Sequence, residues 1–116
     1  MKCPFCNFQE LIKTNEVIFT SKNFYCIKDI KPISRGHILI IPYKHIREIN
    51  ALSSLLFNDL LLTIKKASSH LKKKYKQTPL IFINNKNDQS VNHLHIHLIP
   101  KRFGILGIDK ALREIS

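Results

Sequence analysis

Histidine alternates with an apolar residue three times in His93-Leu94-His95-Ile96-His97, and the run continues through Leu98 and Ile99 to Pro100. On a β-strand, residues two apart share a face and stand about 6–7 Å from one another. His93, His95 and His97 are therefore expected side by side, with Leu94, Ile96 and Leu98 turned into the core. Neighbouring like charges disfavour the charged form, so at least one of the three imidazoles is expected to stay neutral near pH 7. A neutral imidazole offers a lone pair to an electrophile or to a metal, and either use needs a second group to fix the tautomer. A solitary histidine is more often a hydrogen-bonded structural residue. Three in register beside a polar Gln89-Ser90 loop point instead to a built site.

A second set of candidate ligands lies at the start of the chain. Cys3 and Cys6 have the C-x2-C spacing of a zinc knuckle, and two histidines would complete a tetrahedral Cys2His2 set. The alternative is a pair of buried or incidental cysteines. A closed four-ligand site is structural rather than catalytic. Cys26 falls inside a strand pattern and is expected in the core, where free cysteine commonly resides. Three cysteines are too few and too oddly numbered for a secreted disulfide framework, which favours a reduced compartment. The N-terminus is polar where a secretory signal needs about 7–15 apolar residues, and no run approaches the roughly 20 of a spanning helix. The expectation is a soluble, cytoplasmic protein.

The elements that must position these residues follow from hydrophobic period. Val17 to Thr20 and Phe24 to Asp29 read as a hairpin around Ser21-Lys22-Asn23. His37 to Pro42 is a nearly continuous apolar run, the mark of a buried central strand. Leu56, Leu60, Ile64, Ala67 and Leu71 recur at steps of three and four, which predicts a helix from about Ser53 to Tyr75. Leu80 to Ile83 and Val91 to Ile99 read as two further strands. Strands and one long helix alternate, which predicts an α+β fold with the sheet packed on that helix.

The 116 residues and 44% hydrophobic content suit one packed core, hence a single domain over 1–116. Three glycines exclude a glycine-rich phosphate cradle of the Walker or dinucleotide type. Nineteen Lys and Arg against eight Asp and Glu leave a formal +11, which favours anionic partners without specifying them. Lys65, Lys66, Lys72, Lys73 and Lys74 crowd the end of the long helix, where cations suit the helix dipole. A solvated face explains that run more readily than a nucleic-acid patch, and His70 on the same helix reads as a surface residue.

With these residues in place, the chain resembles the histidine triad (HIT) family, whose signature is His-φ-His-φ-His-φ-φ with φ apolar. His93 to Ile99 fits it at every position. Asp29-Ile-Lys-Pro-Ile-Ser-Arg-Gly-His37-Ile-Leu-Ile-Ile-Pro-Tyr-Lys-His45-Ile is similar to the family's upstream segment, and Cys3-Pro-Phe-Cys6 to the start of its zinc-bearing bacterial branch. The resemblance implies that His95 is a nucleophile, attacking the α-phosphorus of a nucleotide and carrying the nucleotidyl group until water removes it. It implies that His97 and His37 orient that nucleophile and bind phosphate and leaving group. By the same likeness Ser90 and one of Asn84 or Asn85 contact phosphate, Gln89 belongs to the substrate site, Asp29 binds ribose hydroxyls, and Ile30 and Ile27 lie beside the base. The implied zinc ligands are Cys3, Cys6, His45 and His93, a structural site. The implied fold is HIT-like, an antiparallel sheet of about five strands packed with one long helix and a short helix.

The implied activity is hydrolysis of a purine nucleoside phosphoramidate with release of AMP, with a dinucleoside polyphosphate such as diadenosine tetraphosphate as the alternative substrate. Asp88 stands where the family usually has glycine, and the loop before the triad is shorter than usual, so these departures bear on the leaving group more than on the reaction. The short tail from Phe103 to Ser116 bears on it too. A homodimer through the long helices and central strands is also implied, with the Leu55 to Leu62 segment as apolar contact area. A basic, zinc-stabilised nucleic-acid module remains the reading from a different class. Against it, Cys6 and His45 are too far apart for a C2H2 finger, and no aromatic RNA-binding strand is present.

Overall fold

The computed structural model describes residues 3–83, 85, 92–101 and 113. Five short strands arise where apolar residues run or alternate: β1 (Val17–Thr20), β2 (Phe24–Lys28), β3 (Ile38–Pro42), β4 (Leu80–Ile83) and β5 (Ile96–Ile99). They form one antiparallel sheet in the order β1-β2-β3-β5-β4. The turn between β1 and β2 closes on Ser21, whose amide donates to the Phe24 carbonyl at 2.8 Å. Asn23 in the same turn donates from Nδ2 to Asp59 Oδ2 at 2.7 Å, which ties the hairpin to the long helix. The sheet is flanked by the short α1 (Phe8–Leu11) and the long α2 (Ser54–Tyr75).

Because side chains alternate across a strand, the sheet divides the core in two. Phe24, Cys26, Ile38, Ile40, Ile96 and Leu98 face α2 and pack with its Leu60, Ala67 and Leu71. Tyr25, Ile27, Leu39 and Ile41 face the other way and are covered by Phe5, Phe8, Leu11, Val17 and Tyr43. Directly paired residues share a face, so the register sets Val17, Ile27, Leu39, His97 and Phe82 in one row across all five strands. The chemistry therefore lies on the face opposite α2.

Ser53 caps α2, accepting from the Leu56 amide at 3.2 Å. Lys76 ends it in the left-handed region, its amide bonded to the Lys72 carbonyl. The buried face follows the predicted step of three and four but includes Thr63. That hydroxyl donates to the Asp59 carbonyl at 2.7 Å, which removes the cost of burying it. The outer face leaves Leu55, Leu61 and Leu62 exposed. No helix among the described residues is long and apolar enough to cross a membrane.

The strand expected over Val91 to Ile99 is regular only over Ile96–Ile99, and Val91 lies outside the described residues. Ahead of β5 the backbone leaves the ladder, with the Leu94 amide donating to the Ile46 carbonyl at 2.6 Å. Of the three histidines only His97 lies within the regular strand. Leu94, Ile96 and Leu98 still enter the α2 side of the core, as expected. Cys26 is fully buried there, and burial pushes its thiol up to about 12.

Candidate functional site

His37, at the entrance to β3, is placed by a tight approach. Gly36 before it has φ +87°, and a Cβ there would stand 2.6 Å from the Tyr75 ring and 2.8 Å from Pro100. The Ile33 amide donates to His37 Nδ1 at 3.1 Å. A neutral His37 must then carry its proton on Nε2, and that nitrogen lies 2.8 Å from His97 Nδ1 and 3.3 Å from Asp29 Oδ2. Burial lowers the His37 pKa despite the nearby Asp29 carboxylate. Burial, reinforced by His95 and His37, takes His97 down to about 3. Both rings are therefore neutral near pH 7, and His37 Nε2–H donates to His97 Nδ1. His97 in turn holds its proton on Nε2, a buried atom with no hydrogen-bond partner among the described residues.

His95 packs beside His97 with ring centroids 5.0 Å apart. Its Nδ1 lies 2.7 Å from the His93 carbonyl. A carbonyl only accepts, so Nδ1 carries the proton and the neutral ring has its lone pair on Nε2. His93 is arranged in the opposite sense. Its Nε2–H donates to the Pro42 carbonyl at 2.9 Å, which leaves Nδ1 as the lone-pair nitrogen.

That Nδ1 points into the first of two donor clusters. Cys3, Cys6, His45 and His93 bring one ligand atom each within 4.8 Å of one another. His93 Nδ1 is 3.3 Å from Cys3 Sγ, 3.5 Å from Cys6 Sγ and 3.2 Å from His45 Nδ1. Tetrahedral Zn2+ with Zn–N near 2.0–2.1 Å and Zn–S near 2.3 Å sets ligand edges of about 3.3–3.8 Å. The donor set, its spacing and the His93 tautomer all suit such an ion. Asp29, His37 and His97 form the second cluster, which fails the same test. With the Ile33 amide on Nδ1, neutral His37 has no lone pair on the nitrogen that faces the cluster, so these groups make a hydrogen-bonded His37–His97 pair with the Asp29 carboxylate beside it.

The remaining expected residues divide. Asp29 stands beside the His37–His97 pair, with Oδ2 3.3 Å from His37 Nε2 and Oδ1 accepting from the Lys31 amide at 2.8 Å. Ile30 is 68% exposed, whereas Ile27 is wholly buried in the second core cluster. Asn85 uses both ends of its amide on the neighbouring turn, accepting from the Ile49 amide at 2.8 Å and donating to Asn50 Oδ1 at 3.0 Å. Asn84, Gln89 and Ser90 lie outside the described residues. Sequence reasoning missed Tyr25, whose hydroxyl donates to the Phe5 carbonyl at 2.8 Å and so holds the N-terminal segment on the sheet. Its one signal was its place in β2, two residues before Ile27 and so on the same face.

Sheet, helix and imidazoles together define a small α+β protein whose reactive groups line one sheet face. A family model for the HIT domain matches residues 11–104, and the chain belongs to the HIT domain family. It is 31% identical over 110 residues to a bis(5'-adenosyl)-triphosphatase of Dictyostelium discoideum, covering 91% of this chain and 74% of that protein. It is 33% identical over 114 residues to an adenosine 5'-monophosphoramidase of Candida albicans, again covering 91% and 74%. Both relatives are named as hydrolases. Among solved structures, a Zn-bound histidine triad family protein from Mycobacterium smegmatis superposes with a TM-score of 0.78 at 26% identity, covering 92% of this chain and 80% of that one.

Proposed function

We propose that this chain is a nucleotide hydrolase that cleaves at the α-phosphorus of adenosine nucleotides and releases AMP from purine nucleoside phosphoramidates. The observation that carries this reading is the His95 tautomer, since the Nδ1 bond to the His93 carbonyl leaves Nε2 as the lone-pair nitrogen. His95 Nε2 attacks the α-phosphorus, the bond from phosphorus to the leaving nitrogen breaks, and the departing amine takes up a proton. Water then attacks phosphorus, the P–Nε2 bond breaks, and that water returns a proton, so one water is consumed overall. Dividing the displacement in two lowers each barrier. His97 Nε2–H is the donor for the phosphoryl oxygens, and His37 fixes its direction through the 2.8 Å bond.

Asp29, Ile30, Asn84, Gln89 and Ser90 make up the rest of the nucleotide site in this reading. Asn85 holds the loop to the turn at Ile49–Ala51. Cys3, Cys6, His45 and His93 hold a structural zinc ion, which leaves His93 out of the phosphate chemistry. The protein acts as a single HIT domain and as a cytoplasmic homodimer, with the exposed leucines of α2 at the contact. Hydrolysis of dinucleoside polyphosphates is the second reading, supported by the likeness to the Dictyostelium discoideum triphosphatase.

Incubation with an aminoacyl-type adenosine phosphoramidate and with diadenosine tri- and tetraphosphate ranks the two substrates by AMP release. His95→Ala is expected to lose activity by on the order of 10³-fold or more. Full activity in that variant would overturn the mechanism, and a faster rate on the dinucleotides would select the second reading.

A further inference from the structure

The His97 ring packs on the nucleophile assigned above at 5.0 Å, and two further contacts of His95 lead to the cysteine knuckle. One hold is the His93 carbonyl that accepts from His95 Nδ1; His93 is itself in the Cys/His cluster. The other is Phe5, the residue between Cys3 and Cys6. Its ring meets His95 edge-on with centroids 5.3 Å apart at 67°, and meets His93 at 5.9 Å and 90°. Edge-to-face pairs at 4.5–7 Å have a preferred geometry, unlike simple apolar contact. Phe5 is fixed in turn, because buried Tyr25 donates to its carbonyl at 2.8 Å and the cysteines on either side anchor the backbone.

We propose that Phe5 is a positioning residue for His95, so that the cysteine knuckle aims the reactive imidazole as well as tethering the N-terminal segment. This rests on the assignment of His95 as nucleophile. The Phe5 edge restricts rotation of the His95 ring about its Cβ–Cγ bond, while the His93 carbonyl fixes which nitrogen is protonated. Together they hold Nε2 in a single direction. Removing the ring edge loosens that rotation, and with it the Nδ1 bond to the His93 carbonyl, without removing a ligand or a phosphate contact.

The test compares the zinc-loaded wild-type protein with Phe5→Ala, Phe5→Leu and Phe5→Tyr, measuring zinc content, the ¹⁵N tautomer pattern of the His95 ring, and kcat and KM for an adenosine phosphoramidate. A misplacement of about 1 Å costs on the order of 10²-fold. Accordingly, Phe5→Leu and Phe5→Ala are expected to retain zinc, blur the single His95 tautomer, and lose ~10- to 100-fold in kcat with KM little changed. Phe5→Tyr, which keeps the ring edge, should restore both readouts. An unchanged His95 pattern and kcat in zinc-loaded Phe5→Leu would overturn the proposal. So would loss of zinc in both Phe5→Leu and Phe5→Ala, because the ring would then serve the metal and not the imidazole. A wild-type protein that turns over no nucleotide would remove the proposed function instead, and the His95 spectra of the variants would still decide whether Phe5 positions that ring.

Discussion

His97 carries the clearest pH signature of any single residue. Its folded pKa of about 3 lies far below the ordinary 6.5 of histidine, and burial also depresses His37. Between the two values the unfolded chain binds a proton that the folded protein refuses, so stability rises with pH across that window. Acidification from pH 7 toward pH 4 is expected to lower the thermal midpoint, with a slope of up to ~1.4 kcal/mol per pH unit for each such group. Melting curves at half-unit intervals check this, and His97→Gln should flatten the slope. Cys6 provides the second residue-scale prediction. In the metal cluster its Sγ lies 3.0 Å from His45 Nδ1, so Cys6→Ser is expected to lose bound zinc in elemental analysis. A chelator should lower the wild-type midpoint and added zinc restore it, as mass action requires of a ligand that binds only the folded form.

At the scale of elements, Gly36 is the most constrained joint. Alanine there would meet both an unfavourable backbone angle and the Tyr75 ring. Gly36→Ala is expected to destabilise by about 1–3 kcal/mol in denaturant titrations, and to reduce activity because His37 follows directly. Much of the element layout could be read from period alone: the hairpin, the buried run from Ile38 to Pro42 and the helix from Ser54 to Tyr75 emerge where the spacing puts them. The departure at His93 to His95 could not. It accompanies the Leu94 amide's bond to the Ile46 carbonyl and the ring bonds to the Pro42 and His93 carbonyls, and alternation carries no trace of such local competition with the ladder. The Cys/His cluster was legible only in part: C-x2-C spacing pointed to Cys3 and Cys6, while His45 and His93 as their partners came from the family resemblance. The His37–His97 pair was less legible as a bonded unit, since it depends on a ring at position 37 meeting one at position 97 in a stated tautomer.

On the scale of the whole molecule, the formal +11 charge opposes self-association, while the outer side of α2 favours it. Leu62, 68% exposed, shares that side with Leu55 and Leu61. If the homodimer forms there, Leu62→Glu should shift sedimentation from dimer to monomer at micromolar concentration without changing zinc content. Equal sedimentation of the two proteins would place the contact elsewhere or nowhere.

A sheet with its helix on one side and its imidazoles on the other gives its two faces unequal burdens. Beneath the helix a substitution meets only packing, whereas on the opposite face the same stretch of sheet must both bury Tyr25, Ile27, Leu39 and Ile41 and carry the imidazoles. Redesign of that second face therefore cannot touch reactivity without also touching durability.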